Sequence, residues 1–555
     1  MGKLKAGLLV ALLALFLACG SDEEPPLGTT LEETVAVDLE GNLVLGPGEE
    51  YTVRTELAQA QAGRDRGRRS LVVFHQLTDF HIVDEESPLR SEWLDACPST
   101  VSTGAFRPQE SLSLHVADSL IGQANSIDRS PVTGRDVDFA IHTGNATDNA
   151  QFNELRWFID LMDGVPVSPE SGAVGYQGVQ TGSPAQAYKS LLNDAQQAFI
   201  PEGISYPWYA VAGNHDVATQ GRYPISDDAN RIATGAAKVI SVGPAAQEQA
   251  CALQNALPPG VTSEVTSDPQ TVVRGVGSDG NRRLLSLRDW IGEHFASETS
   301  RGPLGHGFTE SGVEDGEAYY TFERGNIAFI VLNSAVPTGF PSGSIDRPQY
   351  DWLEGELAAR SSSYIDGAGQ AVTTQNRDQL VVVVSHHPTG VMTNPFPSVD
   401  GTERVLGAQV ETLLHRFPNV VLHVAGHTGR NSVSAKPNPS GSGGYWEVTT
   451  GSALDYPLQG RLMEVVDNRD GTLSIFTTMY NAAVTLNPGD ANDPTPDDRL
   501  NQRVFAGVAR QVAYADPHAD PAGIGLAVSD RNAELLMPAP FDLSAVPPPT
   551  QGLPD

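Results

Sequence analysis

Short apolar runs separated by longer polar or helix-like stretches dominate the chain from Leu71 onward. Such runs, bounded by polar clusters, are typical of buried strands. The predicted strands are residues 71–77, 137–141, 208–212, 327–332, 380–384 and 420–424. Helix-like segments lie between several of them, at residues 108–127, 153–162 and 347–359. Strands that alternate with helices predict an α/β architecture.

The same pattern divides the chain into regions. In residues 31–70, apolar and polar residues alternate over short segments around glycines. This pattern predicts a small hairpin region ahead of a main domain at 71–480. Two stretches, 165–206 and 217–317, exceed ordinary connections and predict an inserted cap. Residues 481–555 form a C-terminal extension rich in Asp, Pro and Ala, for which we expect one helix at 499–514 and otherwise an extended wrap over the surface or partial disorder.

The N-terminus carries a targeting pattern. Lys3 and Lys5 precede an apolar run at 8–18 that is too short to cross a bilayer, which needs about 20 helical residues, and is typical of a signal peptide. The run ends in Phe-Leu-Ala-Cys-Gly, which resembles the lipobox of bacterial lipoproteins, although Phe16 stands where Leu is usual. An ordinary secretory signal with an incidental cysteine is the alternative.

The lipobox reading predicts removal of residues 1–18, a lipid on Cys19 and an acidic tether at 19–30. Several acyl chains on one residue anchor a protein stably. We therefore expect a location on the bacterial cell envelope, periplasmic or surface-facing, with membrane contact through the lipid anchor only. In such an oxidising compartment, Cys97 and Cys251 are expected to pair as a disulfide.

The net charge of the chain restricts the classes of molecule that it can bind. The 555 residues include 35 Lys and Arg against 68 Asp and Glu, a formal net charge of −33. Nucleic acids are held by clustered positive charge, so the composition argues against a nucleic-acid partner. A small phosphorylated ligand would need a local positive centre. No pattern indicates an oligomeric state.

Five of the six predicted strands are followed by a polar cluster. The clusters are Thr78-Asp79-Phe80-His81, Gly144-Asn145, Gly213-Asn214-His215-Asp216, His386-His387-Pro388 and Gly426-His427-Thr428-Gly429. In open α/β sheets, ligands bind at the carboxyl ends of strands. Asp, Asn and His together suit divalent metals such as Mn, Fe and Zn. One such cluster alone is more often a capped turn, but five in this order predict a metal site.

In their order these clusters resemble the calcineurin-like metallophosphoesterase superfamily, whose pattern is D-x-H, G-D, G-N-H-D/E, H and G-H-x-H. The resemblance covers about residues 71–430, and residues 78–88 and 445–461 look like a secreted bacterial lipoprotein branch. It implies a two-sheet α/β sandwich flanked by helices. It also implies hydrolysis of small phosphate mono- or diesters by attack of a metal-bound hydroxide, with one or two divalent ions. No G-x-S-x-G or G-x-x-x-x-G-K motif supports a serine hydrolase or P-loop alternative.

The family pattern also assigns residues. Asp79 and His81 match the ligands of the first metal, whereas His215 matches the non-ligating histidine that donates a proton or hydrogen bond to the phosphate or leaving group. The metal ligands implied by the resemblance are Asp79, His81, Asn145, Asn214, His386 and His427. His387 and Asp216 are expected to support ligands rather than to bind metal.

Two positions depart from the pattern. Asn145 stands where a carboxylate bridges the two metals, and Gly429 stands where the second histidine of G-H-x-H is expected. Two divalent cations 4 Å apart at an effective dielectric of 20 repel by roughly four times the 4 kcal/mol of a unit pair. Without the bridging carboxylate, we expect one tightly bound metal and a second bound weakly or not at all. Asp148, Asp84 and His423 are the candidate substitute ligands, although a residue three positions along a loop rarely reaches the same point.

Two alternatives stay open. Arg430 and Arg461 are candidate phosphate contacts, since Arg suits bidentate anion binding, but surface or packing roles are equally consistent with their positions. The departures at Asn145 and Gly429 also allow a catalytically weakened protein of the same fold that binds a phosphorylated ligand or a partner protein on the envelope.

Overall fold

The computed structural model describes residues 28–97, 104–180, 189–252, 268–297, 301–397, 401–441, 443–484, 486, 498–516 and 527–545, without the side chains of 189–190 and 498–501. The predicted leader at 1–18, the lipidation site Cys19 and nearly all of the predicted tether lie outside the described residues. Within the described part of the chain, no helix is both long enough and apolar enough to span a bilayer.

The strands, in chain order, are β1 (Glu33–Val37), β2 (Leu43–Pro47), β3 (Thr52–Arg54), β4 (Arg69–Leu77), β5 (Phe139–His142), β6 (Trp208–Ala210), β7 (Ala237–Ser241), β8 (Val272–Gly275), β9 (Tyr320–Arg324), β10 (Ile327–Val331), β11 (Ile345–Asp346), β12 (Ser363–Ile365), β13 (Ala371–Thr373), β14 (Leu380–Val384), β15 (Arg404–Val405), β16 (Val420–Ala425), β17 (Ser432–Pro437), β18 (Gly444–Thr449), β19 (Gln459–Asp467), β20 (Thr472–Asn481) and β21 (Ala533–Pro538).

The α-helices are α1 (Ser113–Ser126), α2 (Phe152–Asp163), α3 (Lys189–Ala195), α4 (Asn214–Val217), α5 (Asp227–Ala233), α6 (Pro244–Ala252), α7 (Leu287–Glu293), α8 (Glu310–Asp315), α9 (Arg347–Ala359), α10 (Gly407–Leu414) and α11 (Asp498–Ala515). Short 3₁₀ turns lie at Arg64–Arg66, Glu92–Ala96, Glu110–Leu112, Gly280–Arg282, Leu304–Gly307, Thr389–Val391, Val528–Asp530 and Leu543–Ala545.

Two mixed sheets form the centre of the fold. One has the order β17-β18-β16-β14-β10-β9, and the other has the order β3-β21-β20-β19-β4-β5-β6. In the first sheet β18, β16, β14 and β10 are parallel, and in the second β4, β5 and β6 are parallel. The predicted two-sheet α/β sandwich is therefore confirmed.

The sheets pack face to face through aromatic side chains. The ring of Phe329 on β10 contacts Phe74 on β4 and Phe139 on β5, with centroids 5.5 and 5.0 Å apart. Alternate residues of β10, Ala328 and Ile330, face the other way into a second core with α9 and α10. Helices α1 and α11 pack together on the seven-stranded sheet. Helices thus cover the outer faces, as an α/β sandwich requires.

The seven-stranded sheet draws strands from both flanking regions. The β1–β2 hairpin lies where the sequence predicts one, but β3, from the same region, pairs with β21. Strand β21 lies between β3 and β20 inside the sheet, whereas we expected 481–555 to contribute one helix and an extended wrap. The sequence Ala-Glu-Leu-Leu-Met-Pro is too short to show a strand pattern within a Pro-rich extension, and its pairing partners are distant in the chain.

The two long insertions contain short elements. Helix α3 lies in the first, whereas α5 to α8 and the β7–β8 hairpin lie in the second. The structure pairs Cys97 with Cys251, and their Cα atoms are 5.4 Å apart. This disulfide ties helix α6 of the second insertion to the segment that follows β4.

Candidate metal centre

Loops after five strands bring the predicted ligands together. Asp79, Asn145, Asn214, His386 and His427 follow β4, β5, β6, β14 and β16, respectively, at the edge where the carboxyl ends of both sheets meet. This placement explains how residues from distant parts of the chain reach one point.

The loop backbones at this edge are unusual. Asp79, His81, Asn145 and His427 all have positive φ, between 45° and 70°, in the left-handed region that side chains rarely adopt. A Cβ on Gly144, whose φ is +100°, would lie 2.6 Å from His386 Nδ1, so only glycine fits there. Left-handed residues that cluster in this way are characteristic of functional sites, where the surrounding structure holds them.

Three potential ligand atoms meet at the position predicted for the second metal. His386 Nε2 lies 3.0 Å from Asn214 Oδ1, and His427 Nδ1 lies 3.2 Å from the same oxygen. The two ring nitrogens are 3.3 Å apart. Asn214, His386 and His427 are therefore within reach of one small ion.

Hydrogen bonds behind this cluster fix which atoms face inward. His386 donates from Nδ1 to the Thr143 carbonyl, so its Nε2 carries a lone pair in the neutral ring. Asn214 donates from Nδ2 to the Gly221 carbonyl, so its Oδ1 faces the histidines. Burial lowers the pKa of both histidines, that of His427 to about 3. Imidazole nitrogens and a carbonyl oxygen together fit a divalent ion such as Mn, Fe or Zn.

The position predicted for the first metal is closed by protein groups. Asp79 Oδ1 accepts from Asn145 Nδ2 at 2.9 Å, and Oδ2 accepts from the backbone N–H of His427 at 3.0 Å. Asn145 Oδ1 accepts from the backbone N–H of His215 at 3.0 Å. His81 Nε2 lies 3.6 Å from Asp79 Oδ1. Asn145, which we predicted as a ligand, is thus a hydrogen-bonding link between Asp79 and the His215 loop.

Asp148 holds two histidines of the site. Its Oδ1 lies 2.9 Å from His81 Nδ1 and 3.0 Å from His215 Nδ1, and its other oxygen pairs with the fully buried guanidinium of Arg90. Both histidines donate from Nδ1 to this carboxylate, so both Nε2 atoms remain for chemistry. Asp148 therefore reaches the site after all, as the residue that orients His81 and His215.

The two histidines differ in protonation. Burial and the nearby Arg107 charge lower the pKa of His81, but hydrogen bonds to Asp148 and Asp79 outweigh them, and the pKa rises to about 9. Burial and the neighbouring His81 charge lower the pKa of His215 to about 4, against the effect of Asp148. Against the opposing effect of burial, the hydrogen bond with His81 keeps the pKa of Asp79 well below its usual range.

Asp216 supports the ligand loops, as the sequence predicted. It accepts from the backbone N–H groups of Gly213, Asn145 and Thr147, and these three bonds join the loops after β5 and β6. Both carboxylate oxygens are occupied in this way. The residue therefore holds the loops together rather than facing the metal position.

His387 also serves neighbouring protein groups. It lies close enough to His386 and His427 for the three rings to hold an ion together. Its Nδ1, however, lies 2.8 Å from Ser334 Oγ, and its Nε2 lies 2.9 Å from the Pro341 carbonyl. Both ring nitrogens are thus occupied, which fits the predicted supporting role.

The other proposed substitutes lie away from the cluster. Asp84 bonds Asn153 and pairs with Arg282. His423 faces Glu447 and Ser385. Neither residue therefore replaces a ligand of the first metal.

At Gly429 the missing histidine leaves open space. A Cβ there would meet only Asp455 Oδ2, at 3.8 Å, among the described atoms, although the φ of +67° disfavours any side chain. A histidine therefore has room at this position at the cost of left-handed strain, about 1–2 kcal/mol.

A pocket with a cavity of about 120 Å³ opens over the site and is lined by His81, Asn145, Asn214, His215 and His427. Of the two arginines that the sequence suggested, Arg461 is fully buried and donates to Thr450 Oγ1 and Asn431 Oδ1, so it is a packing residue rather than a substrate contact. Arg430 is exposed and does not line the pocket among the described residues.

Two other arginines line the pocket, Arg107 and Arg222. Arg107 pairs with Asp455 at 3.1 Å. Sequence reasoning missed both because neither lies in a motif. Arg222 belongs to the predicted insertion at 217–317, and Arg107 lies just before the predicted helix at 108–127. Their place in the pocket depends on how these segments fold back over the ligand loops.

Comparison with known proteins gives structural neighbours alone. No protein-family model and no curated protein matches the chain. Among solved structures, it is similar to a dimetal phosphatase from Danio rerio, with 11% identity over 74% of this chain and 99% of that chain and a TM-score of 0.34. It is also similar to a purple acid phosphatase from yellow lupin, Lupinus luteus, with 10% identity over 79% of this chain and 55% of that chain and a TM-score of 0.28.

A third neighbour is GAP50, described as the anchor in the inner membrane complex of Plasmodium, with 11% identity over 76% of this chain and 86% of that chain and a TM-score of 0.30. Identities and TM-scores this low carry no function to the present chain. Its function has to be inferred from the geometry of the site.

Proposed function

We propose that this protein hydrolyses phosphate mono- or diesters with one divalent cation held by Asn214, His386 and His427. The observation that carries the proposal is the convergence of three potential ligand atoms, 3.0 to 3.3 Å apart, beside a pocket that Asn214 and His427 line. The closed contact between Asn145 and Asp79 supports a single tightly held metal.

The chain's own residues supply the rest of the chemistry. When bound, the cation would polarise a phosphoryl oxygen and activate water. His215, held by Asp148 through Nδ1, is neutral near pH 7, so its Nε2 can accept a proton from the attacking water and then pass it to the leaving oxygen. Arg90 pairs with Asp148 from behind and keeps that carboxylate in place.

A second candidate function is favoured by the departures at Asn145 and Gly429. If the first metal is required for turnover, the same pocket would bind a phosphorylated ligand or a partner protein without cleaving it. The hydrogen bonds of Asn145 to Asp79 and to the His215 backbone favour this alternative, because they complete the first position without an ion.

The test compares Mn²⁺-dependent cleavage of an aryl phosphodiester by four proteins: the wild type, His427→Ala, His415→Ala and the double variant Asn145→Asp with Gly429→His. His415 is a half-buried histidine paired with Glu411, outside the site, and serves as the matched control. Activity in the wild type and His415→Ala that is lost in His427→Ala supports the enzyme. Activity that appears only in the double variant supports the binding protein.

We also propose that the protein is anchored to the bacterial envelope through a lipid on Cys19. The support is the sequence pattern at residues 8–20.

A further inference from the structure

Arg222 differs from the other arginines near the site. Arg90 pairs with Glu92, Glu110 and Asp148, and Arg107 pairs with Asp455. Among the described residues, the guanidinium of Arg222 has neither a hydrogen bond nor an ion pair, although it is half-buried and lines the pocket. A cation that is partly withdrawn from water without a counter-charge at a pocket wall is typical of a site that receives an anion.

The backbone of Arg222 is fixed beside the metal ligands. Its carbonyl accepts from the N–H of Phe340 at 2.9 Å, and a Cβ on Gly339 would lie 2.6 Å from that carbonyl. The carbonyl of the preceding residue, Gly221, accepts from Asn214 Nδ2, and a Cβ on Gly221 would lie 2.5 Å from His215 Nε2. The residue directly before Arg222, Gly221, therefore contacts both Asn214 of the ligand cluster and His215.

The charges in the pocket favour a strongly negative ligand. Asn214, His386 and His427 are neutral ligands, so a cation bound by them keeps its full charge. Arg222 adds one more positive charge, since no described carboxylate neutralises it. A phosphate monoester carries about 1.5 to 2 negative charges at neutral pH, whereas a diester carries about one.

We propose that Arg222 binds the phosphoryl oxygens of the substrate and makes the protein prefer phosphate monoesters over diesters. The preference rests on the proposed function, but the anion contact does not. Guanidinium and phosphate form charge-assisted, often bidentate hydrogen bonds, which explains why an arginine would be held here.

The test uses Arg222→Gln, Arg222→Lys and the control Arg231→Gln, a change of an exposed arginine on α5 that pairs with Asp228. Binding of inorganic phosphate to the Mn²⁺-loaded and the EDTA-treated protein is measured by calorimetry. We expect Arg222→Gln to weaken phosphate binding by about tenfold or more, Arg222→Lys to retain part of the affinity, and Arg231→Gln to match the wild type. Unchanged phosphate affinity in Arg222→Gln would overturn the proposal.

The second arm compares kcat/KM for p-nitrophenyl phosphate and bis-p-nitrophenyl phosphate. We expect the wild type to prefer the monoester and Arg222→Gln to lose about tenfold on the monoester while it changes little on the diester. An equal loss on both esters, or a wild type that prefers the diester, would overturn the preference. A wild type that cleaves neither ester refutes the proposed function, and the phosphate measurement still decides the anion contact.

Discussion

Asn145 donates its side-chain amide to Asp79, with Nδ2 2.9 Å from Oδ1. A carboxylate at position 145 would bring two carboxyl groups to that distance in a buried loop, where a cation between them or a shared proton is needed to make the contact favourable. The amide of Asn145 makes this contact with a single negative charge, that of Asp79. This one contact joins the loops after β4 and β5 directly.

Asn145→Asp should make the fold depend on metal. In EDTA the two facing carboxylates repel by about 4 kcal/mol at an effective dielectric of 20, so the variant should unfold at a lower temperature than the wild type. Excess Mn²⁺ should recover most of that loss, because ligand binding to the folded state stabilises it. Thermal unfolding with and without Mn²⁺ measures the difference.

Asn149→Asp is the control for this prediction. Asn149 donates to Glu154 Oε1 at 2.5 Å, so its replacement creates another buried pair of carboxyl groups outside the predicted ligands, although burial raises the pKa of Glu154 to about 8. The Asn149→Asp variant should unfold at a lower temperature than the wild type, and Mn²⁺ should not restore that temperature. Equal recovery in both variants would show that the effect of metal is not specific to position 145.

Metal content should distinguish one site from two. We expect the purified wild type, dialysed against buffer after loading with Mn²⁺ or Zn²⁺, to retain about one equivalent, since Asn214, His386 and His427 bring three ligand atoms together, whereas Asp79 and Asn145 are bonded to each other. His386→Ala should retain much less than one equivalent. Elemental analysis checks both values, and two tightly retained equivalents in the wild type would refute the one-metal hypothesis.

Local motifs predicted much of this site, whereas long-range packing decided the rest. Asp79, His81 and Asn214 follow strands in short patterns, so their convergence follows from the sheet topology. Arg107 and Arg222 carry no spacing signal, because an insertion and a loop bring them to the pocket.

The sequence also does not show which groups hydrogen-bond to the predicted site residues. The same Asn145 side chain could bind a metal or link two loops, and only the positions of Asp79 and the His215 backbone distinguish these roles. Strand β21 was missed for a similar reason, since its partners β3 and β20 are far apart in the chain.

His215→Ala should reduce activity according to the leaving group. A proton donor contributes about 10²- to 10⁴-fold when the leaving oxygen is a poor one, and little when it is already stable as an anion. We expect a large loss of kcat with an alkyl phosphate and a small loss with p-nitrophenyl phosphate, at unchanged metal content. Equal losses on both substrates would contradict a role for His215 in proton transfer.

Cys19→Ala should release the protein from the membrane. A lipid on Cys19 would be the anchor, so the wild type expressed in a bacterial host should sediment with membranes and the variant should stay in the soluble fraction. Fractionation followed by immunoblotting measures the distribution. A wild type found in the soluble fraction would refute the anchor.

Because of Glu447, the stability of the folded protein should decrease as the pH falls into the acidic range. It accepts from His423 Nδ1, from Thr389 and from Lys436 Nζ beneath the site. Burial alone would raise the pKa of Glu447, but the hydrogen bond and charge of His423 and the charge of Lys436 outweigh it and hold the pKa below the ordinary value of 4.5. A carboxylate with a lowered pKa stabilises the fold above its unfolded pKa and loses that contribution as the pH falls.

Glu447→Gln should therefore cost about 1–3 kcal/mol at pH 7, and the difference from the wild type should shrink as the pH falls below about 4.5. Urea unfolding at a series of pH values between about 7 and 3.5 measures this. Glu411→Gln, which removes a more exposed carboxylate from the same Lys436, is the control and should change stability by less than about 1 kcal/mol. A difference for Glu447→Gln that grows as the pH falls would show that the carboxylate is not stabilised in the folded protein.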